Sequence, residues 1–331
     1  MHGSAKRSNG TGTIAISSEL LFIGIPTFNR PAMALETIES VRASTLQDYR
    51  VVVSDNGSEK EAQDQVRRFV EGLGDPRFSF VVQPENGGEY GQGRYFFAQS
   101  QGTEFFTILH DDDLVDAGYL AMALDRLRSV PNAALLIANP RLIDEEGTIS
   151  EGLTRDYLRE HGRTDRSTGL FPILEPLLET GFTPISGTVF RRAALVASGF
   201  VDEDCTGNFP FELNVLLRLG DIGSYGWFET QTMLSVRFHH GSLRNTLGLM
   251  NNRDVVGTML KLLQRRNYEG KAETRRRILL SRLHRAMAEI HFRDGDRAAA
   301  KREVATACRI RPQSANAWKT RIKLSMGAMA T

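Results

Sequence analysis

The sequence predicts an α/β fold in which a mainly parallel sheet alternates with helices, followed by an all-helical C-terminal part. Short apolar runs alternate with stretches of helical spacing over the first 137 residues, the pattern of repeated βαβ units. Polar clusters with turn chemistry follow four of those runs. Beyond about residue 250 the apolar positions recur at helical intervals and arginine becomes abundant.

Residues 20–25 (LLFIGI) form a short apolar run closed by Pro26, which reads as a buried strand. Pro31 opens a helix to about Leu46, with Leu35, Ile38 and Val41 on one face. Residues 51–53 (VVV) are a second strand, leaving through Ser54-Asp55-Asn56-Gly57-Ser58. A polar helix over 61–71 leads to a third strand, 78–82, and its exit Glu85-Asn86-Gly87-Gly88. A helix over 92–100 precedes the fourth strand, 105–109, which runs straight into His110-Asp111-Asp112-Asp113. A helix over 116–128 and a strand over 134–137 follow. After Asp144 the pattern loosens: residues 150–182 read as a long excursion, before a strand at 185–190 and a helix at 209–219. Near the C-terminus, Gly295 separates two Ala-rich helices and Pro312 ends the second. That pair resembles one tetratricopeptide unit, which cannot bury its own face and must pack on the main domain or another subunit. The expected division is a loose tail over 1–18, an α/β domain over 19–249 and a basic helical extension over 250–331.

Hydrophobic residues make up 41% of the 331 and charged residues 24%, which excludes a mostly disordered chain. Two cysteines, Cys205 and Cys308, exclude a disulfide scaffold, fit no metal-ligand spacing and suit a reducing cytosol. No stretch reaches the roughly 18 apolar residues that span a bilayer. The expected location is cytoplasmic, with a peripheral contact at the inner membrane face as a further reading. The formal charge of +1 hides a split: residues 251–331 carry a net +12 and residues 1–250 a net −11.

In a parallel sheet, ligands bind beyond the carboxyl ends of the strands. The clusters at 27–30, 55–58, 86–88 and 111–113 all lie at such ends. Three successive carboxylates repel one another unless a cation or hydrogen-bond donors compensate. Mg²⁺ or Mn²⁺ takes one or two carboxylates and completes its shell with water and phosphate oxygens. A solvated acidic turn at a helix start is the plainer alternative.

The order and spacing of the motifs resemble family 2 glycosyltransferases of the GT-A fold. The matching pieces are Ile25-Pro26-Thr27-Phe28-Asn29-Arg30, Val53 to Ser58, Glu85 to Gly88 and Leu109 to Asp113. Gly199-Phe200-Val201-Asp202-Glu203, Phe211-Glu212 and Arg237-Phe238-His239-His240-Gly241-Ser242 follow. The resemblance covers about residues 20–245 and implies a Rossmann-like mixed sheet. It also implies a metal-dependent, inverting transfer from a nucleotide-sugar, most simply a UDP-sugar, to a hydroxyl acceptor. That acceptor is a glycan, a lipid-linked or a small molecule.

By the same resemblance, Pro26, Thr27 and Asn29 form the loop beside the base, with Arg30 near it, and Asp55 accepts the uracil ring N–H. Asn86 belongs to the donor loop and Arg94 to a family arginine near the donor. Asp111 lies toward ribose and metal, Asp113 is the direct metal ligand, and Asp112 is a donor-side residue. His239 completes the metal or diphosphate site, with His240 as an equally reachable alternative. Glu212 is the catalytic base. Two positions depart from the family: Phe211 and His110 stand where relatives often carry acids. Phe211 is either an apolar wall for the acceptor, helped by Phe209, or core.

Outside that context each residue has a plainer role. Asp55 to Ser58 can be a tight turn, Glu212 a solvent-facing helical residue, and Arg94 the partner of a surface carboxylate. A nucleotidyltransferase also pairs a nucleotide pocket with acidic ligands, but no Gly-rich, Lys/Arg-bearing phosphate loop lies early in the chain. A catalytically silent sugar-nucleotide-binding scaffold is the alternative from another class. The basic extension reads as a helical face against the acidic domain, a peripheral membrane contact, or a homodimer surface. Its charges are not interleaved with aromatics, so nucleic acid is not expected.

Overall fold

The computed structural model describes residues 20–181, 184–205, 210–238 and 249–325. The predicted tail (1–18), Phe209, His239 and His240 lie outside the described residues.

The first half forms as the sequence predicts. Strands β1 (Leu21–Thr27), β2 (Tyr49–Asp55), β3 (Phe78–Val82) and β4 (Phe105–Ile108) alternate with helices α1 (Pro31–Arg42), α2 (Lys60–Gly72) and α3 (Gly88–Gln99). All four strands pair in parallel, β1 lying between β2 and β4. Pleating sends Leu21, Ile23 and Ile25 to one side, against Ile38 and Val41 of α1 and Val66 and Val70 of α2. Phe22 points the other way, onto Phe96 of α3 and Phe106 of β4.

The second half turns the sheet mixed. A two-residue strand β5 (Leu114–Val115) and α4 (Tyr119–Ser129) lead to β6 (Ala133–Ile143). Then come α5 (Glu151–Glu160), β7 (Gly169–Pro172), α6 (Leu174–Thr180), β8 (Val189–Arg191), α7 (Arg192–Ser198), α8 (Phe211–Asp221) and β9 (Tyr225–Arg237). The strand order is β3-β2-β1-β4-β8-β6-β9-β5, with β7 on β9. Strand β8 is antiparallel to both β4 and β6, whereas β6 and β9 are parallel.

Three expectations are revised here. The predicted strand at 134–137 extends to Ile143, carrying Pro140 through a register irregularity against β9, where proline's missing donor is tolerated. The predicted strand at 185–190 shortens to β8. Strand β9, thirteen residues long, has no counterpart in the sequence reading: Glu229-Thr230-Gln231-Thr232 interrupts its alternation at the same irregularity.

The C-terminal helices are α9 (Arg253–Gln264), α10 (Gly270–Arg293), α11 (Arg297–Ile310) and α12 (Ala315–Ser325). Gly295, at φ 83°, makes the left-handed turn between α10 and α11. Helices α9 and α10 do not stand apart. Val256, Leu262, Leu263 and Leu283 share one apolar cluster with Phe190, Leu216 and Phe228 of the α/β part.

Candidate active site

The carboxyl ends of β1, β2 and β4 carry the polar loops. Asn29, at φ 53°, donates its backbone N–H to Ser58 Oγ (2.8 Å), and its Oδ1 accepts from the Glu59 N–H (2.8 Å). The loop after β1 is thereby fastened to the loop after β2. Asp55 is 1% exposed, and its Oδ1 accepts from the N–H groups of Gly57 and Ser58 at 3.0 and 2.8 Å. Its turn role and its position at the strand end are therefore both present in one side chain. Pro26 lies within β1, opposite Ser54.

An amide relay extends the scaffold to the loop after β3. Asn56 Nδ2 donates to Asn86 Oδ1 (2.9 Å), and Asn56 Oδ1 accepts from Gly87 N–H (3.0 Å) and Gln92 Nε2 (2.9 Å). Asn86 Oδ1 also accepts from Gly88 N–H at 3.0 Å. Sequence reasoning gave Asn56 and Gln92 no role, because an amide in a turn and one on a helix are each generic; only the fold shows that they face each other.

The acidic loop follows β4. Arg30 donates to Asp112 at 2.9 Å and lies 3.7 Å from Asp111. Thr27, buried at the end of β1, acts on the Asp111 carboxyl and lowers it, against burial. Asp111 Oδ2 is buried and, among the described residues, unpartnered. Asp113 Oδ2 accepts from Ser186 Oγ (2.5 Å), and its Oδ1 accepts from the Arg237 backbone N–H (3.1 Å). Arg237 is itself buried: its guanidinium donates to the carbonyls of Asp112, Asp144 and Glu145 and to the Glu36 carboxylate. The end of β9 is thus locked beside the acidic loop, two residues before His239.

Burial, and then the charge of Asp112, push both Asp111 and Asp113 up to about 6. Burial disfavours the His110 imidazolium, but Asp113, Glu89, Asp112 and Glu212 together outweigh it and leave His110 raised. Glu89, in the first turn of α3, is raised by burial and lowered by His110. Glu89, Ser186 and Arg237 are site residues the sequence reading did not assign. Glu89 and Arg237 sit in or beside motifs it quoted, and Ser186 carried no local signal.

Ligand atoms of His110, Asp112 and Asp113 lie within 4.8 Å of one another. Two carboxylates and an imidazole, with an unpartnered buried Asp111 oxygen beside them, suit a hard divalent cation such as Mn²⁺ or Mg²⁺. The sequence reading placed Asp111 in the ligand set and Asp112 on the donor side. The geometry groups Asp112 with His110 and Asp113, and leaves Asp111 outside that cluster, 3.7 Å from Arg30.

Glu212 sits in the first turn of α8, partly exposed, and its charge acts on His110. Phe211 before it is 3% exposed and meets Tyr90 and Phe200 edge-on, so it is core and not an acceptor wall. Arg94 pairs with the exposed carboxylate of Glu203 at 2.7 Å.

The sequence profile of Glycosyl transferase family 2 matches residues 22–195, more than half of the chain. The chain belongs to this family. Over 184 residues it is 29% identical to the GalNAc(5)-diNAcBac-PP-undecaprenol beta-1,3-glucosyltransferase of Campylobacter jejuni, covering 55% of each chain. It is 34% identical over 121 residues to galactofuranosyltransferase GlfT2 of Mycolicibacterium smegmatis, covering 33% of this chain and 18% of that one. The chain therefore spans about half or less of the length of the curated relatives it matches. Residues 1–349 of S. aureus TarS, solved with UDP-GlcNAc, superpose with a TM-score of 0.60 at 13% identity, covering 94% and 93% of the two chains. The mannosyltransferase PcManGT of Pyrobaculum calidifontis, solved with GDP-Man and Mn²⁺, gives 0.55 at 16%, covering 94% of this chain and 81% of that one. At these identities the family 2 chain shares their fold, GT-A, with the mixed sheet described above.

Proposed function

We propose that this family 2 protein is a metal-dependent, inverting glycosyltransferase. It moves a hexosyl or N-acetylhexosaminyl group from a UDP-sugar to a hydroxyl acceptor. The observation that carries the reading is the gathering of His110, Asp112, Asp113 and Glu212 at one end of the sheet. Asp55, with Pro26, Thr27, Asn29 and Asn86 around it, receives the base, and Asp55 accepts the uracil N–H. Arg30 steadies the acidic loop from the donor side, and Arg94 exchanges Glu203 for a donor phosphate. Asp111 meets the ribose hydroxyls through its unpartnered oxygen.

Asp113, Asp112 and His110 would hold the cation, with Asp111 beside them and His239 or His240 completing the set. A bound cation neutralises the charge that grows on the diphosphate leaving group. Glu212 takes the proton of the acceptor hydroxyl as that oxygen attacks carbon 1 from the face opposite the diphosphate. One displacement inverts the anomeric centre through an oxocarbenium-like transition state. Residues 19–249 carry this reaction, residues 250–331 position the enzyme, and the protein works in the cytoplasm. The undecaprenol-linked glycan in the name of the Campylobacter relative favours a glycan or lipid-linked acceptor over a small molecule.

The test is a thermal-shift screen of nucleotide-sugars with and without Mn²⁺ and Mg²⁺, followed by donor hydrolysis. Ligand binding to the native state raises the midpoint, and UDP-sugars should raise it most with Mn²⁺. Wild-type turnover by Asp113→Ala would defeat the metal assignment. Release of pyrophosphate from a nucleoside triphosphate would defeat the reaction class.

A further inference from the structure

A few basic residues of the C-terminal helices pair within those helices, Arg253 with Asp294 and Arg276 with Glu273; the others divide by the side they face. Those facing the α/β part are matched by its acids. Arg265 pairs with Asp204 at 2.8 and 3.0 Å, Arg266 with Asp202 and Asp221, and Arg275 with Glu179. Among the described residues, those of α11 and α12 pair with no carboxylate. From Arg297 to Ser325 the chain carries eight lysines and arginines and a single acid, Glu303, which is held by His284.

Two adjoining clefts, of about 360 and 310 Å³, open at the packing of α10 on α11 and share Arg277 and Ile310. Arg309 lines the first and Arg311 the second. Glu273, the acid at the first cleft, is taken up by Arg276 at 2.7 and 2.8 Å. Among the described residues no carboxylate pairs with Arg277, Arg309 or Arg311. Arg277 is fixed in place, donating to the Ile310 carbonyl at 2.8 Å.

Helix α12 adds apolar anchors at the same end. Ala317, Thr320 and Leu324 face inward, while Trp318 and Ile322, four residues apart on one face, are 41% and 57% exposed. Trp318 Nε1 donates to the carbonyl of Pro312, next to Arg311, which ties this face to the second cleft. Lys319, Arg321 and Lys323 flank it. An exposed tryptophan and isoleucine ringed by cations suit the boundary between headgroups and acyl chains. Unmatched arginines beside them suit phosphate.

We propose that this end of the molecule docks on an anionic phospholipid surface. The Arg277–Arg309–Arg311 clefts receive headgroup phosphates, and Trp318 and Ile322 enter the interface. The inference does not depend on the transfer reaction, and its test reads binding alone.

The full chain is to be co-sedimented with vesicles of phosphatidylcholine, and with vesicles of equal parts phosphatidylcholine and phosphatidylglycerol. We expect binding to the second only, weakening as salt rises. The double variant Arg309→Glu/Arg311→Glu should lower the partition coefficient about tenfold or more. Lys319→Glu/Lys323→Glu, on a different helix, should do the same, and Trp318→Ala should weaken binding separately. Lys60→Ala, on α2 against the opposite face of the sheet, should bind as wild type. Equal binding to both vesicles would overturn the proposal, as would wild-type binding by both folded charge-reversal variants. Binding of inorganic phosphate by the clefts without binding to anionic vesicles would also overturn it, and would mark a soluble-anion site.

Discussion

Glu212 enters the site one residue after a buried aromatic, so its backbone is fixed by Phe211 while its carboxylate stays partly exposed. Glu212→Gln keeps the shape and removes the base. We expect donor binding to be unchanged and transfer to fall by roughly 10²–10⁴-fold, read as kcat against the donor dissociation constant; retained transfer would refute the assignment. The aspartates make a prediction of opposite character. Asp111 and Asp113 are raised to about 6 by burial and by Asp112, whereas an unfolded aspartate titrates near 4. Between about pH 4 and 6 the cation-free native state therefore binds more protons than the unfolded chain, and stability falls as pH rises. Thermal melts without divalent cation should show the midpoint dropping from about pH 4 to about pH 6 and levelling off above it. Mn²⁺ should restore it at the higher pH. A flat profile would mean that these carboxylates are not held in a low-dielectric site.

At the scale of elements, the joint between α3 and α8 decides where Glu212 stands. A Cβ on Gly93 would lie 2.1 Å from Phe211 Cζ, so only glycine lets the two helices approach this closely. Gly93→Ala should cost about 1–3 kcal/mol by overpacking, measured by urea denaturation, and should lower transfer by shifting the first turn of α8. Adding Phe211→Leu should recover most of the stability. The contacts that assemble the site were only partly legible in the sequence. Strands β1 to β4 were legible because each is a short apolar run closed by turn residues, and their polar exits therefore came out at one end. Strand β9 was not, because its alternation breaks where it shifts register on β6. With it went the information that Arg237 braces Asp113, and no local signal marked Ser186, which bonds it. Those are pairings across 124 and 73 residues, set by packing and invisible to local pattern. Arg94 shows the converse: the family resemblance pointed it at the donor, and in the structure it pairs with the exposed Glu203, the plainer role the sequence also offered.

Across the whole molecule, the helical extension is held to the α/β part by both apolar and ionic contacts. Arg266, its side chain 7% exposed, is shared between Asp202 and Asp221. Arg266→Met removes the closest partner of Asp202, which keeps Arg218 at 3.3 Å and Arg265 at 4.0 Å, and one partner of Asp221; this should cost about 2 kcal/mol. The expected reading is a lower thermal midpoint with loosened protection of α9 in hydrogen exchange. An unchanged midpoint would mean that the apolar cluster alone fastens the extension. The pairing of inner arginines with acids of the sheet domain also has an electrical consequence. Neutralisation at the seam leaves excess negative charge at the sheet and excess positive charge along α11 and α12. A protein of formal charge +1 is then a large electric dipole. It should be retained at low salt by both cation- and anion-exchange resins, and near a charged surface it should arrive already turned, positive end first.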